Sequence, residues 1–278
     1  MNLKMKRLTV ALAAAGIVGI ATPAGAGSIF LTGHDNDFHQ SAAAMAAMTA
    51  ALAMVRDGSA LPVLSFDAGS ELTSLLTSLG IAFFNVNPSV AGLATAGGAA
   101  LFDHTKYSAF VVASVTSCGG CDNPIGTGLN IAAYETAIVD FFNAGGGILG
   151  LAGATDPDAY AYVPQSATNA GGNPPSTGYF QTSFGASLGI TAVNGDTTHN
   201  FFNEPGTGGL SSAYGVTERL RDGVGEGTPE SIALFRGTIA CTPGTKDCGF
   251  VPEPGTLTLF GLALAGMGAI RRRFTRST

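Results

Sequence analysis

The chain has 278 residues, of which 46% are hydrophobic and only 12% are charged, and its formal net charge is −6. This length is sufficient for one sizeable hydrophobic core. Seven of its 13 Lys and Arg residues lie within the first seven or the last eight positions, so the part between is more acidic than the whole. That balance argues against nucleic acid or an anionic membrane surface as a partner of the folded part.

Residues 1–26 have the pattern of a secretory signal peptide. Lys4, Lys6 and Arg7 precede a short apolar run, and Ala24-Gly25-Ala26 follows it as an A-x-A cleavage site. The run is too short and too rich in Ala and Gly for a comfortable membrane-spanning helix. We therefore expect export with cleavage after Ala26, and an uncleaved anchor is the alternative.

Between residues 27 and 245, short apolar runs alternate with stretches of helical character. The pattern predicts strands at 28–32, 61–66, 81–86, 108–115 and 146–153, and helices at 40–56, 71–80 and 130–145. Late strands are expected at 191–194 and at 231–237, the second at a sheet edge, and 164–178 is predicted to be a surface loop. Buried strands alternating with amphipathic helices predict an α/β fold, with a doubly wound, mostly parallel sheet and helices on both faces.

The four cysteines predict disulfides in an exported protein. Cys118 and Cys121 have C-x-x-C spacing, but no second C-x-x-C is present to complete a zinc ribbon. No predicted helix begins directly after Cys118 to lower its pKa for redox chemistry. We expect one small disulfide loop there and a second between Cys241 and Cys248, and crossed pairings remain open.

The C-terminal residues 251–276 carry three features in close order. Pro252-Glu253-Pro254 is followed by an apolar stretch of 15 residues at 256–270 and then by Arg271, Arg272 and Arg273. This order resembles the PEP-CTERM sorting signal of Gram-negative bacteria, whose carriers are substrates of exosortase, a membrane transpeptidase. An ordinary tail anchor would predict the same topology but would leave the Pro-Glu-Pro motif unexplained.

The PEP-CTERM resemblance implies how the protein is exported, anchored and processed. The export machinery and exosortase are its partners, and the precursor is anchored in the inner membrane by a helix at about 256–270. The arginines would hold the far end of that helix in the cytoplasm. The processed protein is then expected at the cell surface or in the extracellular matrix.

Three segments of the body resemble ThuA-like proteins. Phe38-His39-Gln40-Ser41 is similar to the opening of that family, 141–156 to its glycine turn and following strand, and 198–202 to a later histidine segment. The resemblance implies a flavodoxin-like sheet at 27–245, related to class I glutamine amidotransferases. The turn after the strand at 146–153 lacks the nucleophilic Cys of the amidotransferases, so Cys–His chemistry is not expected at that turn.

Polar residues follow the first predicted strand, at the sheet edge where α/β proteins bind ligands. His34, Asp35, Asp37 and His39 are therefore candidates to bind a divalent metal or sugar hydroxyls. A calcium loop is excluded because Gln40 stands where that loop requires glycine. In the alternative, Asp37 or Ser41 caps the following helix.

His199 is the other candidate catalytic residue, because it could converge with His39 on the same sheet edge. Glu204 or Asp196 could orient it, and the alternative is an ordinary loop histidine.

Two functions remain open from the sequence. The absent nucleophile and the low charge favour a non-catalytic or carbohydrate-binding surface module, for which extracellular polysaccharide is the expected ligand. The alternative is a carbohydrate-active or metal-dependent enzyme that uses His39 and His199. No cofactor is indicated beyond a divalent metal at these residues. The enzyme alternative would be excluded if the side chains of His39 and His199 pointed away from each other.

Overall fold

A computed structural model describes residues 26–115, 123–172, 174–195, 198–221, 227–240 and 250–252. Residues 1–25 of the predicted signal peptide lie outside these ranges. The predicted membrane helix at 256–270 and the predicted disulfides of Cys118, Cys121, Cys241 and Cys248 also lie outside them. Within the described ranges, no helix has the length and apolar character needed to cross a membrane.

The described strands and helices alternate along the first half of the chain, and strands predominate in the second half. The strands are β1 Gly27–Thr32, β2 Val63–Phe66, β3 Phe83–Val86, β4 Ala109–Val112, β5 Gly147–Gly150, β6 Asn169–Gly171, β7 Tyr179–Gln181, β8 Phe201–Phe202, β9 Gly215–Leu220, β10 Pro229–Ile239 and β11 Phe250–Pro252. The α-helices are α1 Ala42–Arg56, α2 Glu71–Ser78, α3 Val90–Ala96, α4 Thr127–Ala132, α5 Glu135–Asn143 and α6 Ser183–Ser187, and a 3₁₀ turn spans Gly98–Leu101.

The main sheet of the described chain has the order β3-β2-β4-β5-β1-β10-β9-β7, and β11 pairs with β10. The five strands from β3 to β1 are parallel, and the remaining pairs are antiparallel. In chain numbering the parallel half has the order 3-2-4-5-1, which differs from the flavodoxin order 2-1-3-4-5 because the N-terminal strand β1 lies next to β5 and not inside the sheet beside β2. The predicted doubly wound α/β fold is therefore confirmed, and the antiparallel half is an addition that the sequence did not predict.

Each face of the parallel half is covered by helices. Phe30, Val63, Val111 and Leu149 pack on one face with α1 and α2. Their strand neighbours, including Ile29, Leu64 and Phe110, pack on the other face with α3, α4 and α5. Because successive strand residues point to opposite faces, a strand that is covered on both sides must be apolar throughout.

Four predicted elements differ in the structure. The surface loop predicted at 164–178 contains β6 and is partly buried, with Gln165 at 2% and Asn169 at 8% exposure. The strand predicted at 231–237 belongs to β10, which lies between β1 and β9 and not at a sheet edge. The prediction of a strand at 191–194 is wrong, because this segment does not pair with a neighbouring strand. A side chain accepts its backbone hydrogen bond instead: Val193 N donates to the Glu218 carboxylate. The helix predicted at 130–145 is divided into α4 and α5, because Tyr134 leaves the helical conformation with a φ of −108°.

Candidate metal centre at the carboxyl edge of the sheet

The chain leaving β1 is held between two neighbouring segments. Ala152 N donates to His34 O at 3.2 Å on the side of β5, and His199 N donates to Gly33 O at 2.8 Å on the other side. A Cβ at position 33 would lie 1.9 Å from Asn200 O, so only glycine allows this approach. Gly33 therefore determines how closely the segment that carries His199 can lie against β1.

A tight turn after β1 brings the side chains of Asp35 and His39 next to each other. The backbone N–H groups of Phe38 and His39 both donate to Asp35 O, each at 3.1 Å. The turn places Asp35 and His39 four positions apart, the spacing at which side chains of one helical turn lie next to each other. Ser41 then caps α1 by accepting a hydrogen bond from Ala44 N at 3.2 Å.

His39 and His199 converge on the Asp35 carboxylate. His199 Nε2 lies 2.9 Å from Asp35 Oδ2, and His39 Nε2 lies 3.7 Å from the same oxygen. The two imidazole rings are stacked, with centroids 6.4 Å apart and an interplanar angle of 27°. The two histidines therefore face each other, as the enzyme alternative requires.

Asp35 is the buried member of this group. Its side chain is 0% exposed, whereas His39 and His199 each expose 29% of theirs. The two imidazoles are its near polar neighbours, and no other group of the described chain donates a hydrogen bond to either Asp35 oxygen. A buried carboxylate with so few partners is costly, so a cation at this position would compensate for its burial.

The spacing of the three side chains fits a transition metal. One ligand atom from each of Asp35, His39 and His199 lies within 4.8 Å of the other two. The ligands of a tetrahedral zinc ion with bonds of about 2.0–2.1 Å lie roughly 3.3 Å apart. The two measured distances to Asp35 Oδ2, 2.9 and 3.7 Å, bracket that value.

Asp37 and His34 lie outside this group. Asp37 accepts two hydrogen bonds at the end of β4, from Ser114 N at 2.9 Å and from Ser114 Oγ at 2.6 Å. It therefore does not cap α1, and Ser41 fills that predicted role. His34 is 1% exposed and lies 3.0 Å from Glu218 Oε2. The predicted cluster of four polar residues is thus divided among three environments.

The orienting residue predicted for His199 is also different. Glu204 forms a hydrogen bond of 2.9 Å with Arg219, and Asp196 lies outside the described residues. Asp35 takes the position next to His199.

A second group of ionisable side chains lies buried behind the candidate centre. Glu230, on β10, is 0% exposed, and its Oε1 lies 3.9 Å from His34 Nδ1. Among the described residues neither Glu230 oxygen has a hydrogen-bond partner. Desolvation, and then the nearby charge of Glu218, raise the pKa of Glu230 well above its ordinary value.

We expect Glu230→Gln to flatten the dependence of stability on pH. With a pKa that is higher in the folded than in the unfolded state, Glu230 stabilises the fold fully below its unfolded pKa. That contribution is lost as pH rises through the folded pKa, by up to about 1.4 kcal/mol per pH unit. Urea unfolding between pH 5 and 9, with chelator present, should show the variant gaining stability relative to the wild type as pH rises. If the free energies of unfolding of the two proteins changed with pH in parallel, this expectation would be contradicted.

Sequence reasoning missed the partners that the candidate residues contact. Ser114, Glu218, Glu230 and Asn200 lie far along the chain from β1, and buried polar residues in otherwise apolar strands were the only local signal. Asn200 is fully buried, and its Oδ1 accepts a hydrogen bond from Gly153 N at 2.7 Å.

Comparison with known proteins identifies the C-terminal segment. Residues 250–273 match the PEP-CTERM protein-sorting motif. No curated protein and no solved structure matches the chain. The first three residues of the match, Phe250–Pro252, form β11, in which Pro252 pairs with Gly237 of β10. The motif makes this an exported protein with a C-terminal membrane-anchoring signal that exosortase recognises, and the ThuA-like resemblance stays a prediction.

Proposed function

We propose that this exosortase-sorted protein binds a divalent transition-metal ion, with zinc as the best fit, through Asp35, His39 and His199. The single observation that carries the proposal is the convergence of two histidines on a buried carboxylate, with one ligand atom of each residue within 4.8 Å of the other two. Imidazole nitrogen favours zinc over calcium or magnesium, which prefer oxygen ligands.

The proposed coordination leaves at least one position of the metal free. Three protein ligands plus a water are typical of catalytic zinc, whereas structural zinc has four protein ligands. Both imidazoles are partly exposed, so the free position would face solvent. A water on the metal in that position would have a pKa of about 7, which suits hydrolysis at neutral pH.

The surroundings favour a hydroxyl-rich ligand. The ring of Phe38 is 42% exposed and packs edge-on against His39, with centroids 4.7 Å apart. An exposed aromatic face next to a metal could contact the apolar face of a sugar while the metal binds a hydroxyl group. Extracellular polysaccharide, which a surface protein would meet, is therefore the ligand class we propose. We also propose that the processed protein resides at the surface or in the matrix of a Gram-negative bacterium.

The ThuA-like resemblance agrees with this proposal but does not carry it. Its segments 38–41 and 198–202 contain His39 and His199, two of the three proposed ligands. The missing nucleophile after β5 means that any chemistry here would differ from that of the amidotransferases.

Calorimetric titration of zinc into the purified, metal-stripped exported protein tests the proposal. We expect one zinc ion per chain, with no comparable binding of calcium or magnesium. His39→Ala should weaken zinc binding strongly because it removes one of three ligands. An absence of zinc binding, or equal binding by the wild type and His39→Ala, would overturn the metal site.

Polysaccharide binding needs a separate measurement. Phe38→Ala should weaken the retention of the zinc-loaded protein on an extracellular polysaccharide while leaving its zinc affinity unchanged. Loss of retention without loss of zinc would assign Phe38 to the ligand, and unchanged retention would remove it from the proposal.

A further inference from the structure

We propose that Thr198 and His34 act as a buried positioning pair that fixes the spacing of Asp35 and His199. This inference rests on the metal site proposed above. Neither residue would touch the metal, and each directly precedes a proposed ligand in the chain.

The pair joins the two segments that carry the ligands. His34 and Thr198 form an antiparallel bridge, and Thr198 Oγ1 lies 2.9 Å from His34 Nδ1. Both residues are buried, at 1% and 8% exposure. The pair therefore brings together two segments that are 164 residues apart in the chain.

The antiparallel half of the sheet holds the imidazole of His34 in place. His34 Nε2 lies 3.0 Å from Oε2 of Glu218, a residue of β9. Glu218 is itself fixed, because its Oε1 accepts a hydrogen bond of 2.6 Å from Val193 N. The hydroxyl of Ser231 lies within reach of both Glu218 Oε2, at 3.0 Å, and Thr32 Oγ1, at 2.8 Å. The ring is therefore attached to β9, β10 and β1.

The contacts of the ring determine the role of Thr198. A hydroxyl group can both donate and accept a hydrogen bond, so Thr198 Oγ1 can pair with Nδ1 in either tautomer of His34 while Nε2 faces Glu218. Removing that hydroxyl removes the side-chain link between His34 and the segment that carries His199, while the backbone hydrogen bond from His199 N to Gly33 O remains.

Metal ligation is sensitive to small displacements of this kind. Ligand distances in a metal site hold within about 0.2 Å, and outer partners that orient ligands contribute about 10–100-fold to metal affinity. Because Thr198 acts on His199 through the backbone, we expect an effect at the lower end of that range.

The test compares Thr198→Val with a matched buried threonine. Thr217 lies on β9, is 0% exposed, and within the described residues its hydroxyl has no hydrogen-bond partner. We expect Thr198→Val to weaken zinc binding by about 10-fold and to change the visible spectrum of the cobalt-substituted protein. Thr217→Val should change neither, and Thr198→Ser should restore both because it keeps the hydroxyl.

The outcomes separate this inference from the proposed function. A wild-type protein that binds no zinc overturns the metal site itself. A wild type that binds zinc, with Thr198→Val binding equally well, overturns only the positioning role. Equal losses for Thr198→Val and Thr217→Val also overturn it, because general destabilisation then explains the effect. If Thr198→Val does not fold, Thr198→Ala provides the same comparison with a smaller side chain.

Discussion

His199→Ala should weaken zinc binding by more than about 100-fold, since even outer partners of metal ligands contribute about 10–100-fold. His199 is the ligand closest to Asp35, with Nε2 at 2.9 Å from the carboxylate. Without it, one carboxylate and one imidazole remain, and two ligands cannot hold the ion in a fixed geometry. Competition titration with a zinc-binding dye measures the change.

The control for this variant is His104→Ala. His104 is exposed and precedes β4, so it lies towards the opposite edge of the sheet from the candidate centre. The His104→Ala variant should bind zinc with the same affinity as the wild type. If His199→Ala also retained wild-type affinity, the close approach of His199 and Asp35 would be an ion pair without a metal-binding role.

Asp37→Ala should destabilise the fold by about 3 kcal/mol or more, because hydrogen bonds to a charged group contribute about 1.5–3 kcal/mol each. The buried Asp37 carboxylate accepts hydrogen bonds from both Ser114 N and Ser114 Oγ, which join the loop after β1 to the end of β4. Its removal also leaves Ser114 N without that acceptor in a buried position. Urea unfolding of the metal-free protein measures the loss.

Ser114→Ala is the matched variant for Asp37→Ala. It removes one of the two hydrogen bonds and keeps the backbone one, so we expect about half the loss of stability. Zinc bound to the folded fraction of either variant should keep an affinity close to that of the wild type. Loss of zinc binding by a stable Asp37→Ala protein would instead make Asp37 part of the metal centre.

The local part of the candidate site was predictable from the sequence. A buried strand ends before Gly33, and a capped helix begins after Ser41, so the polar residues between them had to lie at the sheet edge. The four-residue spacing of Asp35 and His39 follows from the same turn. Polarity alone, however, did not separate the residues that face the candidate centre from those that are buried against other strands.

The contacts of the site between residues that are distant in the chain were not predictable, for a physical reason. Strand β9, GVTERL, carries a buried Glu218 where an apolar residue is expected, so it has no clear strand signal. The burial of Glu218 depends on His34, which is 184 residues away. A pairing between two such polar residues becomes visible only when the antiparallel half of the sheet is assembled.

The most direct test of the proposed metal centre is a crystal structure of the zinc-loaded exported protein, with anomalous diffraction recorded at the zinc absorption edge. We predict one anomalous peak bonded to Asp35, His39 and His199 at about 2.0–2.2 Å, with a solvent ligand in the remaining position. A zinc peak elsewhere on the chain, or an ordered Asp35–His199 pair with no zinc between the three side chains, would contradict it.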